Sequence, residues 1–247
     1  MDDLNLLKNR FHDLASRSVD KGIWTYSNFL TQAEQSELKK LRLPVNAGLC
    51  GGYENAERCI AVFGNESDIY YPAEPPIKYI KISPALQKFA DHLTHRDFLG
   101  SLMALGIKRE MLGDIIINEN SAFLICLENI ADFIVTELSS VKHTSVKCEI
   151  AETLPENVLP ELQYEEHIVA SERIDVLIAA VYNLSRSLSQ NLILGEKVFV
   201  DSVLVGSTSF VPDTGGIISV RGHGRFIFDG VLRSTKKGRD VIAVRKY

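Results

Sequence analysis

Basic, hydroxyl and amide side chains recur along the last third of this sequence, and these residue types contact phosphate groups. Arginine and lysine neutralise phosphate charge, and arginine also binds it through two parallel hydrogen bonds. Hydroxyl and amide groups add hydrogen bonds to phosphate oxygens. The candidate contact residues are Arg173, Ser185, Arg186, Ser187, Gln190, Lys197, Arg221, Arg225, Arg233, Lys236 and Lys237. The pattern therefore predicts a surface that binds RNA.

Two short helices and the strands that follow them would position these side chains. Apolar residues recur at i, i+3, i+4 and i+7 of a first helix, namely at Ile174, Leu177, Ile178 and Val181. This spacing predicts a helix with one buried face. Ser187 and Gln190 have the spacing of a capping box, which predicts the start of a second helix. We expect Gly195 to end that helix with a positive φ, and a strand to follow over Lys197–Val200.

Positive charge is concentrated in the same part of the chain. Residues 171–247 contain 11 Lys and Arg against 7 Asp and Glu, whereas the remaining residues contain 16 against 25. The net charge of −5 therefore conceals a basic C-terminal segment. Phosphate binding depends on local potential, so a surface shared by Arg173, Arg186 and Lys197 would favour contact with RNA. A solvated basic hairpin is the alternative interpretation.

Four ordered elements of this region resemble the S4 domain, an RNA-binding module of small-subunit ribosomal proteins, pseudouridine synthases and tyrosyl-tRNA synthetases. The matching elements are Arg173-Ile174-Asp175, Leu184-Ser185-Arg186-Ser187, Leu192–Val200 and Ile218–Gly222. The resemblance implies an S4 domain over residues 171–247, with two short helices and a small β-sheet. Asp201-Ser202 stands where that family usually has Asn-Gly, so we expect a different hairpin turn there.

Residues 77–152 predict strands and helices in the order βαββαβ. Strands are expected over Ile77–Ile82, Asp114–Ile117, Ala122–Leu127 and Ser145–Ile150, with a turn at Asn118-Glu119-Asn120 and helices over Arg96–Leu105 and Glu128–Ser140. This order is that of ferredoxin-like domains and RNA-recognition motifs. Recognition motifs stack bases on aromatic residues of the central strands, which here offer only Tyr79 and Phe123. Packing against protein or docking on a ribosome is an equally open role for this domain.

Residues 1–76 are predicted to form a separate N-terminal α/β domain. Helical periodicity runs over Asp3–Ser16 and Thr31–Leu41, and Cys59–Phe63 predicts a short strand. Ser27 or Thr31 could cap the second helix, and the Pro-Ala-Glu-Pro-Pro segment at 72–76 indicates a linker. Gly51-Gly52 is interpreted as a turn, because no Gly-Lys-Ser/Thr follows to bind phosphate.

Further segments resemble the bacterial YlmH family over almost the whole chain. The matching segments are Leu93–Leu102, Leu105–Glu110, Leu112–Ile115, Gly51–Tyr53 and Ala56–Arg58. This resemblance implies an α+β protein with an N-terminal α/β domain, a ferredoxin-like (RRM-like) middle domain and a C-terminal S4 domain. It also implies binding to ribosomal RNA of the large subunit that carries stalled peptidyl-tRNA, in ribosome-associated quality control. A role as a cell-division adaptor is an alternative suggested by the same family.

No nucleophile, base and orienting group can be assembled from the sequence. His95-Arg96-Asp97 imitates a kinase catalytic loop, but the other kinase motifs are missing, so we expect Thr94 to cap a helix there. The four cysteines are widely spaced and predict neither a zinc site nor a disulfide framework, and His92 and His95 are not expected to share a metal. We therefore expect a non-enzymatic protein without a cofactor. An RNA-modifying enzyme that uses an S4 domain to bind its substrate is the alternative.

Hydrophobic patterning predicts no membrane segment. No apolar run approaches the roughly 20 residues of a membrane-spanning helix. The N-terminus, Met1–Asn5, is acidic and lacks the features of a signal peptide. A cytoplasmic protein is expected, and a monomer.

Overall fold

The computed structural model describes residues 2–86, 92–119, 121–158, 162–201 and 203–247. Helices and strands are mixed along this part of the chain, which divides into two compact units, residues 1–159 and 160–247. Asn120 and Ser202, which fall in two predicted turns, lie outside the described residues. Asp201, which precedes Ser202, has a φ of 49°.

The first unit begins with a long helix packed on a small antiparallel sheet. Its elements are α1 (Asp2–Lys21), β1 (Thr25–Leu30), α2 (Gln32–Lys39), β2 (Ala47–Cys50) and β3 (Cys59–Phe63). The strand order is β1-β3-β2, and Phe11 of α1 packs on Phe63 of β3. Thr31 caps α2 through a capping box with Glu34, which is one of the two caps that the sequence allows. The Pro-rich segment at 72–76 follows without helix or strand, as predicted.

A five-stranded sheet with two helices on one face completes the first unit. Its elements are β4 (Ile77–Pro84), α3 (His95–Ala104), β5 (Leu112–Asn118), β6 (Ser121–Leu127), α4 (Ala131–Glu137), β7 (Ser140–Val141) and β8 (Thr144–Ala151). The antiparallel sheet has the order β5-β6-β4-β8-β7. The helix predicted over Glu128–Ser140 is shorter, because residues 128–130 form a 3-10 turn and Ser140 already pairs with Ser145.

The other face of this sheet packs against the N-terminal sheet. Phe29 and Ile60 of the small sheet share a hydrophobic core with Ile116, Phe123 and Ile125 of the larger one. Burial of this apolar area stabilises both sheets at about 25 cal/mol per Å². Residues 1–76 and 77–158 are therefore packed face to face within a single unit.

The second unit is a six-stranded antiparallel sheet with two helices on one face. Its elements are β9 (Gln163–Val169), α5 (Ile174–Val181), α6 (Arg186–Leu194), β10 (Val198–Val200), β11 (Val203–Leu204), β12 (Ile217–Val220), β13 (Gly224–Ser234) and β14 (Asp240–Lys246). The strand order is β11-β10-β12-β13-β14-β9. The predicted apolar face of α5 is buried against this sheet.

Strand β9 extends this unit upstream of residue 171. It pairs with β14 along its whole length, from Gln163 opposite Lys246 to Val169 opposite Asp240. Most of its side chains are polar and at least partly exposed, which is the composition of an edge strand, although Val169 at its end is buried in the core of the unit. The segment therefore gives no strong hydrophobic signal in the sequence.

Two local predictions about α6 are wrong. Ser185 caps the helix instead of Ser187, and its hydroxyl accepts a hydrogen bond from the Leu188 N–H at 3.2 Å. Gln190 forms no capping box because its amide donates to a buried carboxylate, which is a stronger acceptor. Gly195 follows the helix with a φ of −84°, and the positive φ of 56° is at Glu196.

Candidate RNA interface

Three predicted contact residues converge on the carboxylate of Asp175, whose side chain is 0% exposed. Arg173 donates from Nε to Oδ1 and from Nη2 to Oδ2, both at 3.1 Å. Oδ2 also accepts from Arg186 Nε at 3.1 Å and from Gln190 Nε2 at 2.9 Å. The Ser189 hydroxyl donates to the Asp175 carbonyl at 2.6 Å, which joins α6 to the start of α5. We call Arg173, Asp175, Arg186 and Gln190 the Asp175 cluster.

The Asp175 cluster holds two positive charges around one negative charge. Burial alone would raise the pKa of Asp175, but hydrogen bonds from Gln190, Arg186 and Arg173 outweigh it and hold the pKa below its usual value. The side chains of Arg173 and Arg186 are 36% and 58% exposed. Arg186 uses only Nε on Asp175, and its Nη1 and Nη2 groups have no acceptor among the described residues. The cluster can therefore present a fixed guanidinium edge to a phosphate.

The start of α6 adds polar groups beside Arg186. The hydroxyls of Ser185 and Ser187 lie 3.1 Å apart, and both residues are exposed. Ser185 already accepts the Leu188 N–H, so Ser187 has the greater freedom to bind a ligand. Helix N-termini carry a partial positive charge that favours anions, and here an arginine occupies the first helical position.

A second group of predicted residues lies at the turn between β12 and β13. The N–H of Arg221 donates to the Lys197 carbonyl at 2.9 Å, which places these two residues side by side. The Arg221 guanidinium stacks 4.8 Å above the centre of the Phe199 ring, and that of Arg225 stacks 4.7 Å above Tyr247. Stacking orients a guanidinium while leaving its edge able to donate hydrogen bonds.

The remaining predicted residues lie at the far end of β13. Lys236 and Lys237 are exposed in the turn that connects β13 to β14. Arg233 forms an ion pair with Glu166 at 3.1 Å, so part of its charge is already neutralised. Since a strand rises about 3.3 Å per residue, the two ends of the 11-residue β13 are separated by roughly 30 Å. The predicted residues therefore form separate groups rather than one compact patch, and their role in RNA binding stays a prediction.

Strand β9 changes the charge balance of the second unit. Because residues 160–170 add three glutamates, residues 160–247 contain 11 Lys and Arg against 10 Asp and Glu. Glu165 is paired with His167 at 2.9 Å, and Glu166 with Arg233. RNA contact by this unit must therefore depend on local positive groups away from the β9 edge.

The two aromatic residues of the middle sheet are not displayed for base stacking. Phe123 is buried in the core shared with the N-terminal sheet. Tyr79 packs against the same core, and its hydroxyl donates to the Gly52 carbonyl at 2.7 Å. The sheet face that RNA-recognition motifs use is thus covered here by protein. Any RNA contact of this domain would need another surface.

Three of the segments that resemble YlmH, Gly51–Tyr53, Ala56–Arg58 and Leu112–Ile115, meet at Asp114, a residue that sequence reasoning did not single out. Its carboxylate accepts from the Tyr53 hydroxyl at 2.8 Å, the Glu57 N–H at 2.7 Å and the Arg58 N–H at 3.1 Å. Burial raises the pKa of Asp114, and these hydrogen bonds oppose that rise. Asp114 therefore fixes the loop before β3 onto β5.

The Gly51-Gly52 and His95-Arg96-Asp97 motifs have structural roles. Gly52 has a φ of 89°, and a Cβ at Gly51 would overlap the Ala56 side chain, so both glycines are required by the turn. Thr94 caps α3, and its N–H donates to the Asp97 carboxylate at 2.8 Å. The second motif is therefore a helix start, as predicted.

Metal ligands and cysteine thiols are further candidate reactive groups in the part of the chain that the structure describes. Within it, no three or more His, Cys, Asp or Glu side chains are arranged to hold a metal ion. Burial raises the pKa of Cys59 and Cys126 to about 12 and that of Cys148 to about 11, so these thiols are poor nucleophiles at neutral pH. The helices described are each too short or too polar to cross a membrane.

Comparisons with known proteins agree with the resemblance seen in the sequence. Residues 76–154 match the family model described as "Putative RNA-binding domain in YlmH". The curated "Ribosome-associated protein quality control protein P2" of Bacillus subtilis (strain 168) is 29% identical over 216 residues, which cover 86% of this chain and 83% of the relative. The resemblance of this chain to the YlmH family is confirmed.

A solved structure shows a similar fold over part of this chain. The structure of "Cell division protein ylmH from Streptococcus pneumoniae" aligns with a TM-score of 0.50 at 15% identity. The alignment covers 60% of this chain and 90% of that one. The YlmH-like chain is therefore a mixed α+β protein with a YlmH-type fold over the aligned part.

Proposed function

We propose that this YlmH-like protein is a non-enzymatic RNA-binding protein that associates with ribosomal RNA. Within the proposal, it acts in the cytoplasm, as a monomer, on the large ribosomal subunit that carries stalled peptidyl-tRNA. The division into an N-terminal α/β domain, a ferredoxin-like middle domain and a C-terminal S4 domain is part of the same proposal. The name of the Bacillus relative supports the association with ribosomes and quality control. The choice of subunit and the stalled state follow from the YlmH resemblance alone.

The Asp175 cluster is the observation that carries the proposal. A flexible arginine loses side-chain freedom when it binds a phosphate, which weakens binding. Here Asp175 already holds Arg173 and Arg186 in place, and Arg186 keeps two nitrogens without a protein acceptor among the described residues. A guanidinium that is ordered before binding can contact phosphate with less loss of entropy. Shape and backbone contacts of this kind suit folded RNA, which is recognised mostly without reading base edges.

Two other functions compete with RNA binding on the ribosome. The name of the streptococcal protein favours a cell-division adaptor, for which RNA binding would be incidental. An RNA-modifying enzyme would need a reactive group, and burial holds Cys59 and Cys126 as neutral thiols. Mass mapping of nucleosides after incubation with ribosomal RNA would detect such an enzyme through a changed nucleoside.

Gradient fractionation after induced translational stalling tests the proposed partner. We expect the full-length protein to sediment with 50S particles, and Arg186→Gln to reduce that fraction about tenfold, since a charged hydrogen bond contributes about 1.5–3 kcal/mol. Arg17→Gln is the matched control, because Arg17 is exposed on α1 and loses the same charge. Sedimentation with 30S particles, or with no ribosomal particle, would contradict the proposal.

A further inference from the structure

A cavity of about 220 Å³ in the first unit has three arginines in its wall, Arg10, Arg58 and Arg109. It lies between α1, the junction of β1 and α2, and the 3-10 turn Arg109–Met111. Phe29 contributes to its apolar wall, and Arg58 and Arg109 to its polar wall. We call this space the Arg58–Arg109 cavity. None of the contact residues predicted for RNA belongs to it.

Backbone carbonyls hold both guanidiniums and leave some of their N–H groups without acceptors. Arg58 donates from Nε to the Leu112 carbonyl at 2.9 Å, and from Nη2 to the carbonyls of Phe29 at 3.0 Å and Arg109 at 3.2 Å. Arg109 donates from Nη1 to the carbonyls of Leu112 at 2.8 Å and Gly113 at 3.0 Å. Nη1 of Arg58, and Nε and Nη2 of Arg109, have no acceptor among the described residues. These N–H groups can bind a ligand in the cavity.

The positive charges of Arg58 and Arg109 have no carboxylate partner within 4.0 Å among the described residues. Two glutamates line the cavity, but Glu34 accepts from the Thr31 N–H at 2.7 Å and Glu110 lies 4.0 Å from Arg10. Burial lowers the pKa of Arg58, and burial together with the charge of Arg58 lowers that of Arg109 to about 10. Arg58 is buried and Arg109 is half-buried, and the negative charges of Asp114 and Glu57 offset part of the repulsion between them. A bound anion would remove more of that cost.

Segments of the YlmH resemblance that the proposed function does not use meet at the Arg58–Arg109 cavity. Arg58 ends the Ala56–Arg58 segment of the YlmH resemblance, and Arg109 lies in Leu105–Glu110. Both arginines donate to the carbonyl of Leu112, which opens the Leu112–Ile115 segment. Structural support of that loop explains their carbonyl contacts. It does not account for the remaining N–H groups of these two cavity-lining residues, which have no acceptor among the described residues.

We propose that the Arg58–Arg109 cavity binds a phosphate group. Paired guanidiniums with fixed orientation match the tetrahedral oxygens of phosphate, and arginine donates two parallel hydrogen bonds to such groups. The phosphate belongs either to a small molecule or to an RNA chain, since both present the same oxygens. This site is distinct from the Asp175 cluster, so it goes beyond the proposed association with ribosomal RNA.

Thermal unfolding of the full-length protein with inorganic phosphate tests the site. Sodium chloride is adjusted to keep ionic strength constant, because general screening also changes stability. We expect a saturable rise in Tm of roughly 5–10 °C at a hundredfold excess of phosphate over Kd. Arg109→Gln should abolish this rise, and Lys108→Gln, a neighbouring exposed residue, should retain it. A rise that never saturates, or an equal rise in Arg109→Gln, would overturn the proposal.

Two further measurements keep the test decisive. If Arg109→Gln fails to fold, Arg109→Lys replaces it, since lysine keeps the charge but lacks the planar pair of donors. We expect Arg109→Lys to bind phosphate at least tenfold more weakly. Unchanged binding by this variant would overturn the site. Competition of phosphate by a short RNA with a 5′-phosphate, and by the same RNA without it, identifies the source. Displacement by the first alone supports a terminal phosphate, displacement by both supports backbone phosphates, and displacement by neither supports a small molecule. The phosphate-dependent rise in Tm is measured without ribosomes and the association with ribosomes by sedimentation, so failure of either proposal is seen separately.

Discussion

Asp175→Asn tests whether one buried carboxylate organises the two arginines that we expect to contact RNA. The substitution keeps the size of the side chain but removes the charge that accepts from Arg173, Arg186 and Gln190. Removing one partner of a buried ion pair costs about 3–5 kcal/mol. Because Arg173 and Arg186 are 36% and 58% exposed, water would take over part of their solvation. We therefore expect the second unit to lose about 2–3 kcal/mol of its free energy of unfolding.

Hydrogen exchange of peptides from α5 and α6 measures this loss in the unit concerned. Faster exchange is expected in Asp175→Asn at pH 7, and little change in Asp213→Asn, whose residue is exposed in the same unit. The folded pKa of Asp175 is lowered, so its stabilisation is present above the unfolded pKa of about 3.9 and is lost as pH falls through the folded pKa. The wild-type protein should approach the variant in stability at that acid limit. Equal exchange in variant and wild type at pH 7 would refute the organising role of Asp175.

The remaining predictions separate RNA contact from folding. Arg186→Gln should weaken binding to ribosomal RNA at least tenfold in a filter assay, while the free energy of unfolding changes by less than about 1 kcal/mol. Leu177→Ala should instead destabilise the second unit by about 2–5 kcal/mol in urea melts, because its side chain is buried. Phe123→Ala should destabilise the first unit by about 3–5 kcal/mol, because the side chain fills the core between two sheets, and unchanged stability would show that the two sheets do not depend on it. Gly113→Ala should also lower Tm, since a Cβ there would lie 2.8 Å from the Phe29 ring.

Local apolar periodicity is the part of the fold that the sequence determines best. The spacing of Ile174, Leu177, Ile178 and Val181 predicts α5 because a helix returns to the same face every 3.6 residues. Strand β9 could not be found this way, because an edge strand with exposed polar residues has no apolar alternation, and its place depends on pairing with β14. The shortened α4 likewise reflects a hairpin between Ser140 and Ser145 that helical periodicity does not detect.

The candidate site could be predicted residue by residue, but its arrangement could not. Arg173, Arg186 and Gln190 are visible in the sequence as polar positions, whereas their common acceptor is Asp175, up to 15 positions away. The predicted capping box of Ser187 and Gln190 is also wrong, because the Gln190 amide donates to the Asp175 carboxylate instead of binding at the start of α6. Arg221 and Lys236 lie beyond opposite ends of β13, and the distance between them depends on the length of that strand, which apolar periodicity does not predict. Long-range contacts thus decide which basic residues can act together.

Crosslinking the full-length protein to stalled ribosomes with ultraviolet light, followed by mass spectrometry of the peptides, tests the central claim most directly. The account predicts nucleotide adducts on peptides of the second unit that contain Arg186 and the turn from Arg221 to Arg225. Those adducts should decrease in Arg186→Gln and persist in Arg17→Gln. Adducts confined to residues 2–158, or an adduct pattern unchanged in Arg186→Gln, would contradict the claim that the second unit contacts ribosomal RNA through the Asp175 cluster.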